Sequence, residues 1–422
     1  MARNISLGKL LLPPAYLLTS IIPSMIYMVL HTDSMAYGIA LCAAAWITVG
    51  IVRGKPGIIL GVSECRLVGL VLMAATLLFV QGTVVDTWFG GVNFGRLIGA
   101  TAILGIMFMG AYVTASCLLA ASPQLLTSTA RFAFYSLLLI GFGAVAGVPR
   151  IGTAVEGGKA VVVFSEPSHF SFVYLPVLIF MVANATRMRQ ILLLGLTLLL
   201  AVKLENLTMI VGFLGASALV LRRTQLVVLL GIVAAAGVVA AVDVSYYADR
   251  LILDENSDNL STLVFLQGWQ RAWLNLAETR GLGVGFDQFG IVGSLGDIAR
   301  RIYHLAGGAL NLYDGGSTGS KLIAELGAVG VIMIAIYMRL AVRGALLIRR
   351  AQQLPVRQRD AKSMFLYSII LAYGSELFIR GTGYLSPSAF LCMSALIAVL
   401  KLDAARHRAS DLSIGQAIAN RA

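Results

Sequence analysis

Long apolar runs separated by short polar breaks dominate the chain, and the pattern predicts twelve membrane helices. A hydrocarbon layer about 30 Å thick takes roughly 20 apolar residues per helix. Runs of that kind fall near 10–30, 34–52, 67–81, 97–121, 132–148, 170–186, 191–202, 207–221, 226–242, 322–348, 364–379 and 387–402. The run at 191–202 is short and leads into Lys203-Leu204-Glu205-Asn206, so a broken or re-entrant pair is the alternative there. One break is unlike the rest, because residues 243–319 form a long polar segment between the ninth and tenth runs. The expectation is an all-α polytopic membrane protein. Helices 1–9 occupy 1–242, a large loop with short helices occupies 243–319, helices 10–12 occupy 320–402, and a tail occupies 403–422.

Lysines and arginines sort onto alternate breaks. With the N-terminus in the cytoplasm, one side holds Arg3, Lys9, Arg53, Lys55, Arg66, Arg131, Arg187, Arg189, Arg222 and Arg223. Arg349, Arg350, Arg357, Arg359, Lys362, Lys401, Arg406 and Arg408 fall on that side too. The short breaks of the other side hold only Arg96, Arg150, Lys159, Lys203 and Arg380. Such bias places both termini in the cytoplasm and the 243–319 segment outside. Composition excludes an ordinary soluble domain, with 58% apolar residues, 12% charged residues and a mean hydropathy of +0.86. The net charge of +12 then reflects basic residues beside anionic lipid and calls for no nucleic acid. Arg3 and Lys9 precede the first run as in a signal peptide, but no small-residue cleavage site follows promptly, so a retained helix is expected. The cysteines (Cys42, Cys65, Cys117, Cys392) lie in helices or on the cytoplasmic side, which predicts no disulfide in the external segment. No metal-ligand spacing of Cys, His or carboxylates is visible, and no cofactor is expected.

The external segment concentrates the candidate chemistry. It carries Arg250, Arg271, Arg280, Arg300 and Arg301, together with His304 and several aromatics. Residues 266, 269, 273, 276 and 277 are apolar at helical spacing, which predicts an amphipathic helix with Trp269 and Trp273 on one face at headgroup depth. Arg271 then points away from that stripe, toward a cavity or toward water as an ordinary solvated charge. Gly281-Leu282-Gly283-Val284-Gly285-Phe286 superficially matches a nucleotide loop but lacks the strand-then-helix setting. A turn needing positive φ, or close approach of backbone to a ligand, fits better. Gly315-Gly316-Ser317-Thr318-Gly319-Ser320-Lys321 opens a helix whose free N–H groups suit an anion. Glu325, one turn further, is expected to pair with Lys321.

Two further constellations flank membrane helices at the external side. Pro167 marks the start of a helix in Phe164-Ser165-Glu166-Pro167-Ser168-His169-Phe170, and Glu166 and His169 can meet on one side of its first turn. A carboxylate beside an imidazole can orient it as a base, and a helix cap with a structural histidine is the alternative. Glu376 and Arg380 are spaced to pair at i, i+4, and Arg96 begins the fourth helix.

The architecture, Glu166-Pro167-Ser168-His169-Phe170, Arg271-Ala272-Trp273 leading into Gly283-Val284-Gly285, and Ala324-Glu325-Leu326-Gly327-Ala328-Val329-Gly330 together resemble the O-antigen polymerase (Wzy) family. The resemblance implies a fold like that of GT-C glycosyltransferases in the bacterial inner membrane, with a periplasmic active site. It implies polymerisation of undecaprenyl-pyrophosphate-linked repeat units, with undecaprenyl pyrophosphate released, and association with membrane lipid and with a chain-length regulator and flippase of the same pathway. Catalytic candidates are Glu166, His169 and His304. Pyrophosphate and substrate candidates are Arg271, Arg300, Arg301, Lys321, Arg380 and Arg96, because guanidinium grips phosphate in a bidentate fork. The related O-antigen ligases carry a His-Asn pair where this chain has Ser317-Thr318-Gly319-Ser320-Lys321. A ligase acting on lipid A core, and a polysaccharide transporter or flippase, are the rival expectations.

Overall fold

The computed structural model describes residues 7–32, 34–52, 62–151, 160–229, 231 and 253–419, and among them the chain is helical with no β-strand beyond two isolated bridges. In order, the helices are α1 (Leu7–Val29), α2 (Ala36–Val52), α3 (Val62–Phe89), α4 (Phe94–Ala120), α5 (Pro123–Val145), α6 (Pro167–Ala183), α7 (Arg187–Lys203) and α8 (Leu207–Val220). They are followed by α9 (Leu260–Glu278), α10 (Gly296–Ala306), α11 (Thr318–Leu326), α12 (Ala328–Ala351), α13 (Ala361–Phe378) and α14 (Pro387–Ala419). The chain is also helical over 223–229. Most of the expected ninth span (226–242), Arg250, and the juxtamembrane Arg3, Arg53, Lys55 and Lys159 lie outside the described residues.

Among the described residues six helices are long and apolar enough to cross a bilayer: Leu11–Val29, Cys65–Phe89, Phe94–Ala120, Pro123–Val145, Ala328–Ala351 and Pro387–Arg406. Ala36–Val52, Pro167–Ala183 and Leu207–Val220 are apolar but shorter. The protein is therefore a multi-pass membrane protein. Local chemistry sets several boundaries. Asn93, Ser122, Asn206 and Asp360 cap α4, α5, α8 and α13 by accepting backbone N–H bonds, and Pro123 and Pro167 sit in first turns where their missing N–H costs nothing.

The middle of the bundle is α6, apolar all round and buried along nearly its whole length between α5, α7, α8 and α13. The weak run at 191–202 is resolved into a full helix, α7, which turns at Leu204–Asn206 and packs against α8. Another expectation is corrected. The apolar stretch 322–348 is not one helix, since Gly327 (φ +58°) breaks it into α11 and α12. The tail at 403–422 continues α14 as helix to Ala419. Within the polar segment, α9 packs on α10 and α11, and α11 packs on α13. The segment is thereby folded against the bundle.

Candidate functional site

The glycine turn explains how the site is assembled. Gly281, Gly283 and Gly285 all have positive φ, and the turn lies along the backbone of 324–328. Val284 N–H donates to the Ala324 carbonyl at 2.9 Å, Gly285 N–H to the Glu325 carbonyl at 3.1 Å, and Ala328 N–H to the Gly281 carbonyl at 2.8 Å. A Cβ on Gly283 would stand 2.3 Å from the Glu325 carbonyl oxygen, so no larger residue fits there. What the glycines approach closely is this chain's own backbone. From α3, Gln81 Nε2 donates to the Leu282 and Glu325 carbonyls at 2.7 and 2.8 Å.

Immediately after the turn, Asp287 adopts φ +57°, a conformation that favours glycine, and it is held there by α11. The Glu325 carboxylate accepts the backbone N–H groups of Asp287 and Phe289, each at 2.9 Å. Asp287 then receives two cations: Lys321 Nζ at 3.1 Å and Arg96 Nε at 3.2 Å. Lys321 also donates to the Tyr313 carbonyl at 3.0 Å and lies 3.8 Å from Glu325, the i, i+4 neighbour expected from the sequence. Arg96 lies against the Tyr313 ring, 4.9 Å from its centroid. Burial lowers the proton affinity of Lys321, but the Glu325 and Asp287 carboxylates outweigh it and hold the ammonium above the usual lysine range.

Arg271, on α9, is fully buried, which overturns the solvated alternative. Its Nη1 donates to the Leu312 carbonyl at 3.1 Å and its guanidinium carbon stands 4.3 Å from the centre of the Phe289 ring. Among the described residues Nε and Nη2 have no hydrogen-bond partner, and neither amide atom of Asn275, one turn along α9 and also fully buried, has one. Among the described residues no carboxylate pairs with Arg271. Burial alone pushes its pKa down to about 10, still charged at neutral pH. Buried charges are ordinarily paired, and this one is not. On the same helix Trp273 is exposed and Trp269 partly buried, so the two indoles do not share one environment.

Glu166, His169 and Arg380 form a second cluster. Arg380 Nη2 lies 3.3 Å from Glu166 Oε2, and Ser168 Oγ donates to the same oxygen at 2.9 Å. Burial raises the Glu166 pKa, but His169, Arg380 and Ser168 bring it below the ordinary carboxylate value. Glu166 and His169 make no direct bond; instead His169 Nδ1 meets Ser165 Oγ at 2.7 Å. The expected Glu376–Arg380 pair does not form either. Helix α13 ends at Phe378, so Arg380 leaves the i, i+4 register and turns to Glu166, while Glu376 accepts from Thr382 and Ser388 hydroxyls. Beyond Arg380 the chain returns to the first cluster: Gly381 N–H donates to the Gly316 carbonyl at 3.0 Å, and the Tyr384 ring centre is 5.3 Å from Lys321 Nζ.

The remaining candidates stand apart on α10. Ile298 and Ile302 bury one face of that helix against Leu263 and Val264 of α9. Arg300 is largely exposed and pairs with Asp297 at 3.0 Å, and Arg301 pairs with Asp258 at 3.1 Å. His304 is exposed in the last turn. None of these three joins Arg271 or Lys321. Asp287 and Tyr313, which the sequence pattern did not single out, hold the centre of the site; the position of Asp287 just after Gly285 was the available signal.

No protein-family model matches the chain, and no curated protein matches its sequence.

Proposed function

We propose that the protein is a glycosyltransferase of the bacterial inner membrane that polymerises undecaprenyl-pyrophosphate-linked oligosaccharide repeat units at the periplasmic face. The observation that carries this is Arg271, a fully buried guanidinium with two unmatched nitrogens and, among the described residues, no carboxylate partner. A phosphate oxygen pair is the natural complement of such a fork. Lys321 and Arg96 add two cations, partly balanced by the Asp287 and Glu325 carboxylates. The proposed topology has twelve spans with both termini in the cytoplasm, following the distribution of Lys and Arg.

In this mechanism the acceptor's terminal hydroxyl attacks the anomeric carbon of the donor, and undecaprenyl pyrophosphate leaves. The leaving group is already activated, so most of the acceleration comes from positioning and from stabilising the charge that develops on it. Arg271 and Lys321 take that role, with Arg96 and Arg380 beside them. The hydroxyl proton goes to His169 or Glu166, which stand on the Arg380 side of the site. Arg300, Arg301 and His304 are remote from this pair of clusters and are given no step.

The test is purified protein in liposomes with a defined lipid-linked repeat unit and no ion gradient. Lengthening of the glycan, abolished in Arg271→Ala, supports the proposal. Movement of intact units across the bilayer without lengthening overturns it in favour of a transporter, and transfer only onto lipid A core overturns it in favour of a ligase.

A further inference from the structure

Residues 307–316 cross the two buried cations as a strap. It leaves α10 at Gly307 and enters α11 beyond Gly315 and Gly316, and all three glycines have positive φ (+66°, +68°, +67°). Ala309, Leu310, Asn311, Tyr313 and Asp314 stand on solvent, so the strap buries little of its own surface before it reaches the buried Gly315 and Gly316. Its inner side makes the contacts that matter. The Leu312 carbonyl accepts from Arg271, the next residue's carbonyl accepts from Lys321, and the Tyr313 ring covers Arg96. Three cations from α4, α9 and α11 are thus capped by consecutive residues of one exposed segment.

We propose that this strap is a ligand-displaced lid: an incoming pyrophosphate takes Arg271 and Lys321 from the Leu312 and Tyr313 carbonyls, and the segment swings out on its glycine ends. The proposal rests on the anion-site reading above. A phosphate carries negative charge and meets a guanidinium with two parallel bonds, whereas each strap carbonyl is neutral and accepts a single one. Among the described residues Arg271 also keeps Nε and Nη2 unmatched beneath the strap, donors that the Leu312 carbonyl leaves open to the several oxygens of a phosphate. Segments with little buried apolar surface open at low cost, so the exchange of partners is enough to move this one. Return of the carbonyls after transfer would help expel the leaving pyrophosphate.

Spin labels at Ala277→Cys on α9 and Ala309→Cys on the strap, with the exposed Cys65 replaced by Ser, report the opening; both label sites are exposed. Their distance is measured by pulsed electron resonance with and without inorganic pyrophosphate, while calorimetry on the same sample measures pyrophosphate binding. The expected result is binding together with a change of more than about 2 Å in the mean distance, the scale of a loop rearrangement, and loss of both in the Arg271→Ala background. Binding with an unchanged distance overturns the lid and leaves the anion site standing. Absence of binding overturns the anion site and the lid together.

Discussion

Lys321 Nζ lies 3.1 Å from Asp287 Oδ1, and this contact joins the first turn of α11 to the strained residue that follows the glycine turn. Glu325 secures the same junction from below through two backbone N–H groups. Lys321 is thus the only close cation of one fully buried carboxylate among the described residues, and a shared cation of another. Removing it leaves a buried charge uncompensated, at a cost of roughly 3–5 kcal/mol. Lys321→Met is expected to lower the unfolding midpoint of the purified protein sharply, and Lys321→Met with Glu325→Gln to recover most of it. Neither variant should extend glycan. A midpoint for Lys321→Met equal to the parent's would show that the carboxylates do not need it.

Arg271 should behave oppositely. A buried guanidinium without a counter-charge is costly, so an apolar residue of similar length relieves the fold rather than harming it. Arg271→Met is expected to unfold at or above the parent temperature while turnover drops by about 100-fold, the scale of losing one preorganised donor. Arg271→Lys keeps the charge without the fork and should recover activity only in part. Arg300→Ala, on an exposed residue paired locally with Asp297, should stay near parental turnover. If Arg271→Met is both inactive and markedly less stable, the arginine is structural.

Gly283→Ala tests the docking of the glycine turn. The residue sits at φ +81°, with the Glu325 carbonyl where its Cβ would go. The backbone conformation alone costs about 1–2 kcal/mol for a residue with a Cβ, and the clash adds to it. Lower thermal stability and loss of turnover are expected together. Gly99→Ala in α4, where a Cβ meets nothing within 4 Å, is the matched control and should change neither. Equal effects in the two variants would refute the account of the turn.

The Glu166–Arg380 contact predicts a pH dependence. Because the folded state holds the Glu166 pKa below its ordinary value, the pair contributes stability above the unfolded carboxylate pKa, about 4.3. That contribution disappears as pH falls through the lower folded value. The difference in unfolding midpoint between the parent and Glu166→Gln should therefore shrink as pH falls below about pH 4. A difference that grows below about pH 4 would contradict the pairing.

The six long apolar helices of the described residues were legible in the sequence because a bilayer leaves the backbone no partner but itself, although Gly327 breaks the run at 322–348. The same local logic identified the Pro167 helix start, the Lys321–Glu325 neighbours, and glycines that demand close approach. Local rules could not decide which charges would be covered. Arg271 and Arg300 are the same residue type on helices of one polar segment, yet one is fully buried and the other largely exposed. The difference lies in what docks on each helix: the 288–293 turn, the strap and α11 close over α9, whereas α10 spends only its Ile298–Ile302 face on packing. Helical spacing likewise suggested Glu376 with Arg380, but α13 ends before that turn is complete and Arg380 finds Glu166, 214 positions away in sequence. Asp287 gathers Lys321 from 34 positions away and Arg96 from 191. Periodicity reaches one or two turns along a helix. Contacts at these separations exist only after loops close and helices pack, which is why tertiary structure alone selected the centre of the site.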